Sequence, residues 1–297
     1  MQITAEFSDY LRSERNRSEL TVRNYEFAIK KFAEFCNSLG EDIAWQTVEP
    51  DIVREWVVQM IDEYDKKPAT VNLSLSALRT YYHFLMIRGV VDKNPAAAVS
   101  GPKKPKRLPA FVRQEDMDRL LDDIMTDDSF KGRLKRLVVL LLYSTGMRRA
   151  EILSLTDTDV LESEKAIKVT GKRRKQRLIP VSDSLMDEIR DYKKARDLQF
   201  ASGFEGTNLL VGMKGKNLRP DEISRIVRES LSNVTSQSHR SPHVLRHTFA
   251  TAMLNNGADL QAIQQLLGHE SLETTQIYTH LSFEQLKKEY EGAHPRS

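Results

Sequence analysis

Over residues 21–39 the apolar positions Tyr25, Ile29, Phe32, Cys36 and Leu39 recur at alternating steps of four and three, the spacing of one helical face. Gly40 follows as a stop. A second stripe, Ile52, Val53, Trp56, Val57, Met60 and Ile61, predicts a helix from about Asp51. A third, Val71, Leu75, Leu78, Tyr82 and Leu85, opens near Pro68 and closes at Gly89. With a first helix over about residues 4–15, residues 1–100 read as a small four-helix bundle.

The texture then changes. The stretch NPAAAVSGPKKPKRLPAF holds four prolines and a short basic run without periodicity, as an interdomain linker does, and residues 101–111 are assigned to it. Lys103, Lys104, Lys106 and Arg107 suit either a solvated linker or one that follows a phosphate backbone. Residues 112–297 form the second domain, in which Leu134 to Tyr143 is nearly all apolar and so predicts a central helix. Ala166–Thr170 and Arg177–Val181, joined by GKRRKQ, predict a β-hairpin with a basic turn, and helical patterns resume after residue 184. The expected fold is mainly α with a small β-hairpin or sheet in the C-terminal domain, an α+β arrangement in two domains.

Charge sharpens this division. Twelve lysines and arginines stand against 15 acids in residues 1–100, a local charge of −3, which leaves +6 for residues 101–297. That excess is compatible with a nucleic-acid partner. Cys36 is the only cysteine, which excludes an internal disulfide and any thiolate metal cluster, and its apolar neighbours suit a small buried hydrophobe. No apolar run approaches the roughly 18–20 residues of a membrane span. MQITAEFSDYLRSER mixes charges of both signs, unlike a secretory leader, so a cytoplasmic, nucleoid-associated location is expected.

Four segments of the second domain carry residues that folding does not require. In STGMRRAEILSL, Gly146 permits a tight turn and Arg148 and Arg149 fall in the first turn of a helix, where a cation is unfavourable unless an anion lies nearby. Glu151 is spaced to pair with Arg148 or orient it. The turn GKRRKQR offers Lys172, Arg173, Arg174, Lys175 and Arg177 to a polyanion, or one lysine to a site. In SPHVLRHTFATAML, Ser241 as N-cap and Pro242 set a helix start that places His243 and Arg246 on one face, while His247 points elsewhere and is read as structural. In LLGHESLETTQIYTH, Gly268 and His269 end one helix and Tyr278 lies about two turns into the next.

Each segment alone fits an ordinary surface or core role; together they meet one chemical need. Transfer of a DNA phosphoryl group requires an aligned nucleophile, positive charge around the non-bridging oxygens and an acid for the departing 5′ oxygen. Tyr278, two arginines, a lysine and two histidines supply all three without carboxylate clusters, so no metal site is implied. Arginine stays charged and grips phosphate bidentately, which lets it take the metal's place.

The set and order of TGMRRAEIL, TGKRRKQRLIPV, HVLRHTFAT, LLGHESLETTQIYTH and the terminal HPRS resembles the tyrosine recombinase (integrase) family, nearest to the Xer recombinases of bacteria, over essentially the whole chain. The resemblance implies Tyr278 as nucleophile, Arg148 and Arg246 as phosphate clamps, His243 and His269 as phosphate contacts that help move protons, and Lys172 as general acid. It implies no cofactor. It also implies a C-shaped clamp around a double-stranded DNA core site of roughly 28–34 base pairs, about one helical turn per half-site plus a spacer. Four protomers, alike or of two kinds, would form the synaptic complex with cyclic exchange of the C-terminal tail around Phe283, Leu286 and Tyr290; packing of that tail within its own domain is the alternative. A second Xer-type recombinase and a DNA translocase are further possible partners. One departure stands out: where the family commonly has Gly-Lys-Gly, this chain has Gly171, Lys172, Arg173, which makes Lys175 a second candidate acid. A DNA-binding protein without chemistry and a type IB topoisomerase are the competing readings.

Overall fold

In the computed structural model, residues 5–39, 44–103, 110–171, 175–235, 240–268 and 282–295 are described. The chain divides into two units, Met1–Arg107 and Leu108–Ser297.

In the first unit α1 (Ala5–Asp9) runs into a π-helical turn, Tyr10–Glu14, and is followed by α2 (Glu19–Ser38), α3 (Pro50–Asp62) and α4 (Pro68–Ile87). The Ser18 hydroxyl accepts from the Thr21 N–H to start α2, and proline at the first position starts both α3 and α4. The stripes read from the sequence face inward: Tyr25, Ile29, Phe32 and Cys36 of α2 and all five α4 positions are buried. Two positions depart from their stripes: Leu39, the C-cap of α2, is 37% exposed, and Ile61 is 39% exposed, because a position next to Met60 lies about 100° further round the helix. Aromatic rings fill the core, with Tyr81 edge-on to both Phe7 and Trp45 at 4.8 and 4.7 Å between centroids. Cys36 belongs to this core, where burial pushes its thiol up to about 11, so it is inert packing.

The second unit is built around α6 (Phe130–Thr145), preceded by α5 (Gln114–Ile124) and followed by α7 (Arg149–Ser154). Residues Leu137 to Thr145 of α6 are all buried, which accounts for a helix apolar on every side. Three antiparallel strands follow: β1 (Val160–Leu161), β2 (Ala166–Thr170) and β3 (Gln176–Pro180), with Val160 opposite Ile167 and Ile167 opposite Ile179. The expected hairpin is present with one further short strand. Next come α8 (Asp183–Gln199), α9 (Pro220–Ser232), α10 (Pro242–Asn255), α11 (Leu260–Leu267) and α12 (Phe283–Ala293). A non-helical stretch with a β-bridge between Val211 and Asn217 interrupts the helices between α8 and α9. α6 packs against α8, α9 and α10, the last of which carries two of the candidate site residues.

In the single chain α12 takes the alternative stated for it. Its apolar stripe, expected on a neighbouring protomer, packs here within its own unit against α10, α11 and β3. Leu286 and Tyr290 are buried, the Tyr290 hydroxyl donates to the Ser144 carbonyl at 3.0 Å, and His294 stacks on the Tyr290 ring at 4.6 Å. An intramolecular contact needs no loss of translational freedom, so the tail satisfies its apolar face at home in a single chain. Among the described residues no helix is long and apolar enough to cross a membrane.

Candidate active site

The site is assembled where three chain segments end. α6 stops at Gly146 with φ +61°, a left-handed cap, and a Cβ there would lie 2.5 Å from Phe249 of α10 and 2.7 Å from Leu267 of α11. Only glycine lets these three elements approach so closely. The chain then extends through Arg148, the N-cap of α7 and not a residue of its first turn as the sequence suggests. Glu151 reaches back to accept the Arg148 N–H at 2.7 Å and the Arg148 Nη1 at 2.9 Å. The anion expected beside these arginines is thus Glu151 of the chain itself. Arg149 turns away, donating to the Ser224 hydroxyl at 2.7 Å on α9.

Three guanidiniums meet the C-terminal end of α11, and each takes a different carbonyl. Arg177 Nε donates to Leu266 at 2.7 Å, Arg246 Nη2 to Leu267 at 2.7 Å and Arg148 Nη2 to Gly268 at 2.9 Å. The helix dipole is negative at this end and its last carbonyls lack helical partners, so cations are held there by both effects. Arg246 also donates to the Gly146 carbonyl, which fixes its fork between two helix ends. Gly268 has φ +63°, and a Cβ on it would lie 3.1 Å from the Arg177 guanidinium.

Arg177 itself is a correction. The sequence reading places it on the basic turn facing a polyanion; instead its side chain is 13% exposed and grips Glu151 bidentately at 3.0 and 2.9 Å. The signal lies in strand alternation: two positions before Ile179, which is fully buried, Arg177 shares the inward face of β3. Lys103 and Lys175 are exposed, as the polyanion reading requires of them.

Three arginines against one carboxylate leave this cluster two positive charges in excess. Burial, reinforced by the charges of Arg148 and Arg177 and opposed by Glu151, pulls the Arg246 pKa down to about 10. It remains charged at neutral pH, and an incoming anion relieves the repulsion. Burial raises the Glu151 pKa, but the hydrogen bonds from Arg177 and Arg148 outweigh it and hold the carboxyl below its ordinary value. Arg148 is the exposed member, with 39% of its side chain accessible.

His243 stands in the first turn of α10, one turn before Arg246, and is exposed. Partial loss of water around the ring, then the charges of Arg246, His247, Arg149 and Arg148, set its pKa below the ordinary value, which favours neutral imidazole at pH 7. Ser241 holds the N-cap position, but its side chain makes no capping bond, so the first-turn N–H groups of α10 are not taken up by it. His247, read as structural, is exposed and packs into no core.

Of the predicted residues, Arg148, His243 and Arg246 are brought together. Lys172, Arg173, Arg174, His269, Tyr278, Lys104, Lys106 and Arg107 lie outside the described residues. The residues that precede two of them are in place: Gly171 lies beside the cluster, its Cβ position 3.6 Å from Glu151 Oε1, and Gly268 accepts from Arg148. The arrangement is an anion site of fixed guanidiniums with an imidazole at its edge, suited to a phosphate oxyanion.

The chain matches the phage integrase family over residues 110–285 and the phage integrase N-terminal SAM-like domain over residues 4–89. It is 36% identical to the tyrosine recombinase XerC of Listeria innocua serovar 6a, with 100% of this chain and 98% of that one covered. To the tyrosine recombinase XerC of Chlorobaculum tepidum it is 33% identical, with 98% and 94% covered. The XerH site-specific recombinase bound to its difH substrate in a pre-cleavage complex shares the fold at TM-score 0.69 and 22% identity, over 97% of this chain and 84% of that chain. Matches to both units and relatives above 30% identity along their full length make this chain a member of the phage integrase family, a tyrosine recombinase close to the Xer recombinases.

Proposed function

We propose that this site-specific recombinase cleaves DNA with Tyr278 and rejoins it without metal or nucleotide. The Tyr278 oxygen attacks the scissile phosphorus, the bond to the 5′ oxygen breaks, and a 3′-phosphotyrosine forms as the phenol gives up its proton. Lys172 protonates the departing 5′ oxygen, which leaves as a hydroxyl. Arg148 and Arg246 hold the non-bridging oxygens, and His243 and His269 contact the same phosphate and help move protons. One phosphodiester is exchanged for one phosphotyrosine, so a 5′ hydroxyl from a second duplex reverses the attack and completes the exchange. The observation that carries this reading is the pair of surplus positive charges on Arg148, Arg177 and Arg246, held in place by the end of α11 before any substrate arrives.

Residues 1–100 and 112–297 would then grip a double-stranded core site from the two sides of a C-shaped clamp, linked through the basic residues 101–111. Two duplexes with two half-sites each call for four protomers. In such a tetramer α12 leaves its own unit and remakes the same contacts on a neighbour, as a domain swap does. Chromosome dimer resolution would add a second Xer-type recombinase and a translocase; integration, excision or inversion of a mobile element would not.

Mapping covalent adducts on genomic DNA tests this. Adducts are expected at one short site of roughly 28–34 base pairs. A single chromosomal locus would indicate dimer resolution, and element ends the mobile role. Sequence-independent adducts with relaxation of supercoils by monomers would indicate topoisomerase action, and binding without adducts a protein that does no chemistry.

A further inference from the structure

We infer that Arg177 is a positioning residue of the cleavage site: it binds Glu151 so that Arg148 stays available to the scissile phosphate, and it ties β3 to the end of α11. This rests on the recombinase reading above.

The Glu151 carboxylate is 5% exposed, and its two oxygens are shared evenly. Oε1 accepts from Arg148 Nη1 and Arg177 Nη1, and Oε2 from the Arg148 N–H and Arg177 Nη2. Arg177 therefore supplies a full counter-charge to a buried anion whose other hydrogen-bonding cation, among the described residues, is Arg148. Without it, the carboxylate draws the Arg148 guanidinium into a closed pair and lowers its pull on a phosphate. The same guanidinium lies beside the two glycines that precede Lys172 and His269 in the sequence. The Cβ positions of Gly171 and Gly268 lie 3.8 and 3.1 Å from it. One side chain on β3 thus bonds Glu151 of α7 and the α11 terminus together, where a displacement of about 1 Å lowers rates by roughly a hundredfold. Lysine offers a point charge without the fork and cannot hold both oxygens and the Leu266 carbonyl together.

The test is single-turnover cleavage of a nicked suicide duplex carrying the site found by adduct mapping. Melting curves establish that each variant is folded at the assay temperature, and half-site binding is followed in parallel. Arg177→Met is expected to cleave about a hundredfold slower with half-site binding retained. Arg177→Lys is expected to fall between it and the native enzyme. The double variant Arg177→Met with Glu151→Gln, which removes the stranded carboxylate, is expected to recover most of the lost rate. A role in stability alone would lower melting temperature without this pattern. Unchanged cleavage by Arg177→Lys or Arg177→Met, or a double variant no faster than Arg177→Met, overturns the inference; if Arg177→Met does not fold, the lysine variant decides. Absence of adduct with the native protein would instead remove the recombinase reading.

Discussion

Arg246→Ala is expected to slow strand cleavage by about 100- to 1,000-fold, the effect of deleting one pre-aimed donor from a developing negative charge. Arg246 is 8% exposed and its guanidinium is held by the carbonyls of Gly146 and Leu267, so its direction is set before substrate binds. Its lowered pKa reports that burial and two neighbouring arginines make its charge costly in the free protein. A phosphate removes that penalty most fully when its charge is greatest, in the transition state. Half-site binding is expected to weaken far less, because many backbone contacts share that task. Arg246→Lys is expected to recover little, since an ammonium cannot span both carbonyls and still face the phosphate. Single-turnover cleavage by Arg246→Ala within about tenfold of the native rate would be incompatible with the transition-state role.

Gly146→Ala is expected to lower stability by about 2–5 kcal/mol. A left-handed conformation adds roughly 1–2 kcal/mol for a residue with a Cβ. The new methyl would also press on Phe249 and Leu267 in the core, where overpacking costs about 1–3 kcal/mol. At roughly 2–4 °C per kcal/mol for a unit of this size, the melting temperature should drop by about 4–20 °C. Gly257 supplies the control: its φ is +87°, but a Cβ there meets nothing within 4 Å, so Gly257→Ala should show the conformational part alone. Equal shifts for the two variants would remove the packing argument. Because the Gly146 carbonyl also accepts from Arg246, any displacement at this cap should reach the Arg246 guanidinium.

The sequence made the helices legible because their burial is periodic: Tyr25, Ile29, Phe32 and Cys36, or Val71, Leu75 and Leu78, each return to one face. The hairpin was legible within a residue at its ends because β-branched residues flank a turn rich in charge. Arg148 stood out as a cation at a helix start, a place where folding alone does not favour it, and His243 and Arg246 as an imidazole and a guanidinium on one face near a helix start. What stayed hidden depends on partners distant in the chain. β1 has only two residues, too few to show a period. Arg177 read as one more cation of a basic turn until its inward register on β3 brought it to Glu151, 26 residues away. The choice of α12 between its own unit and a neighbour is not written in its stripe, which suits either surface.

Everything proposed for the reaction turns on which atom becomes attached to DNA. The native protein, held on a nicked duplex carrying its mapped site, should yield on digestion a single nucleotide-bearing peptide by mass spectrometry, with the phosphate joined to the Tyr278 oxygen and to a 3′ carbon. The released strand should begin with a 5′ hydroxyl, and Tyr278→Phe should form no adduct while still binding the site. A covalent link at another residue, a 5′-phosphate linkage, or an adduct that persists in Tyr278→Phe would contradict the account.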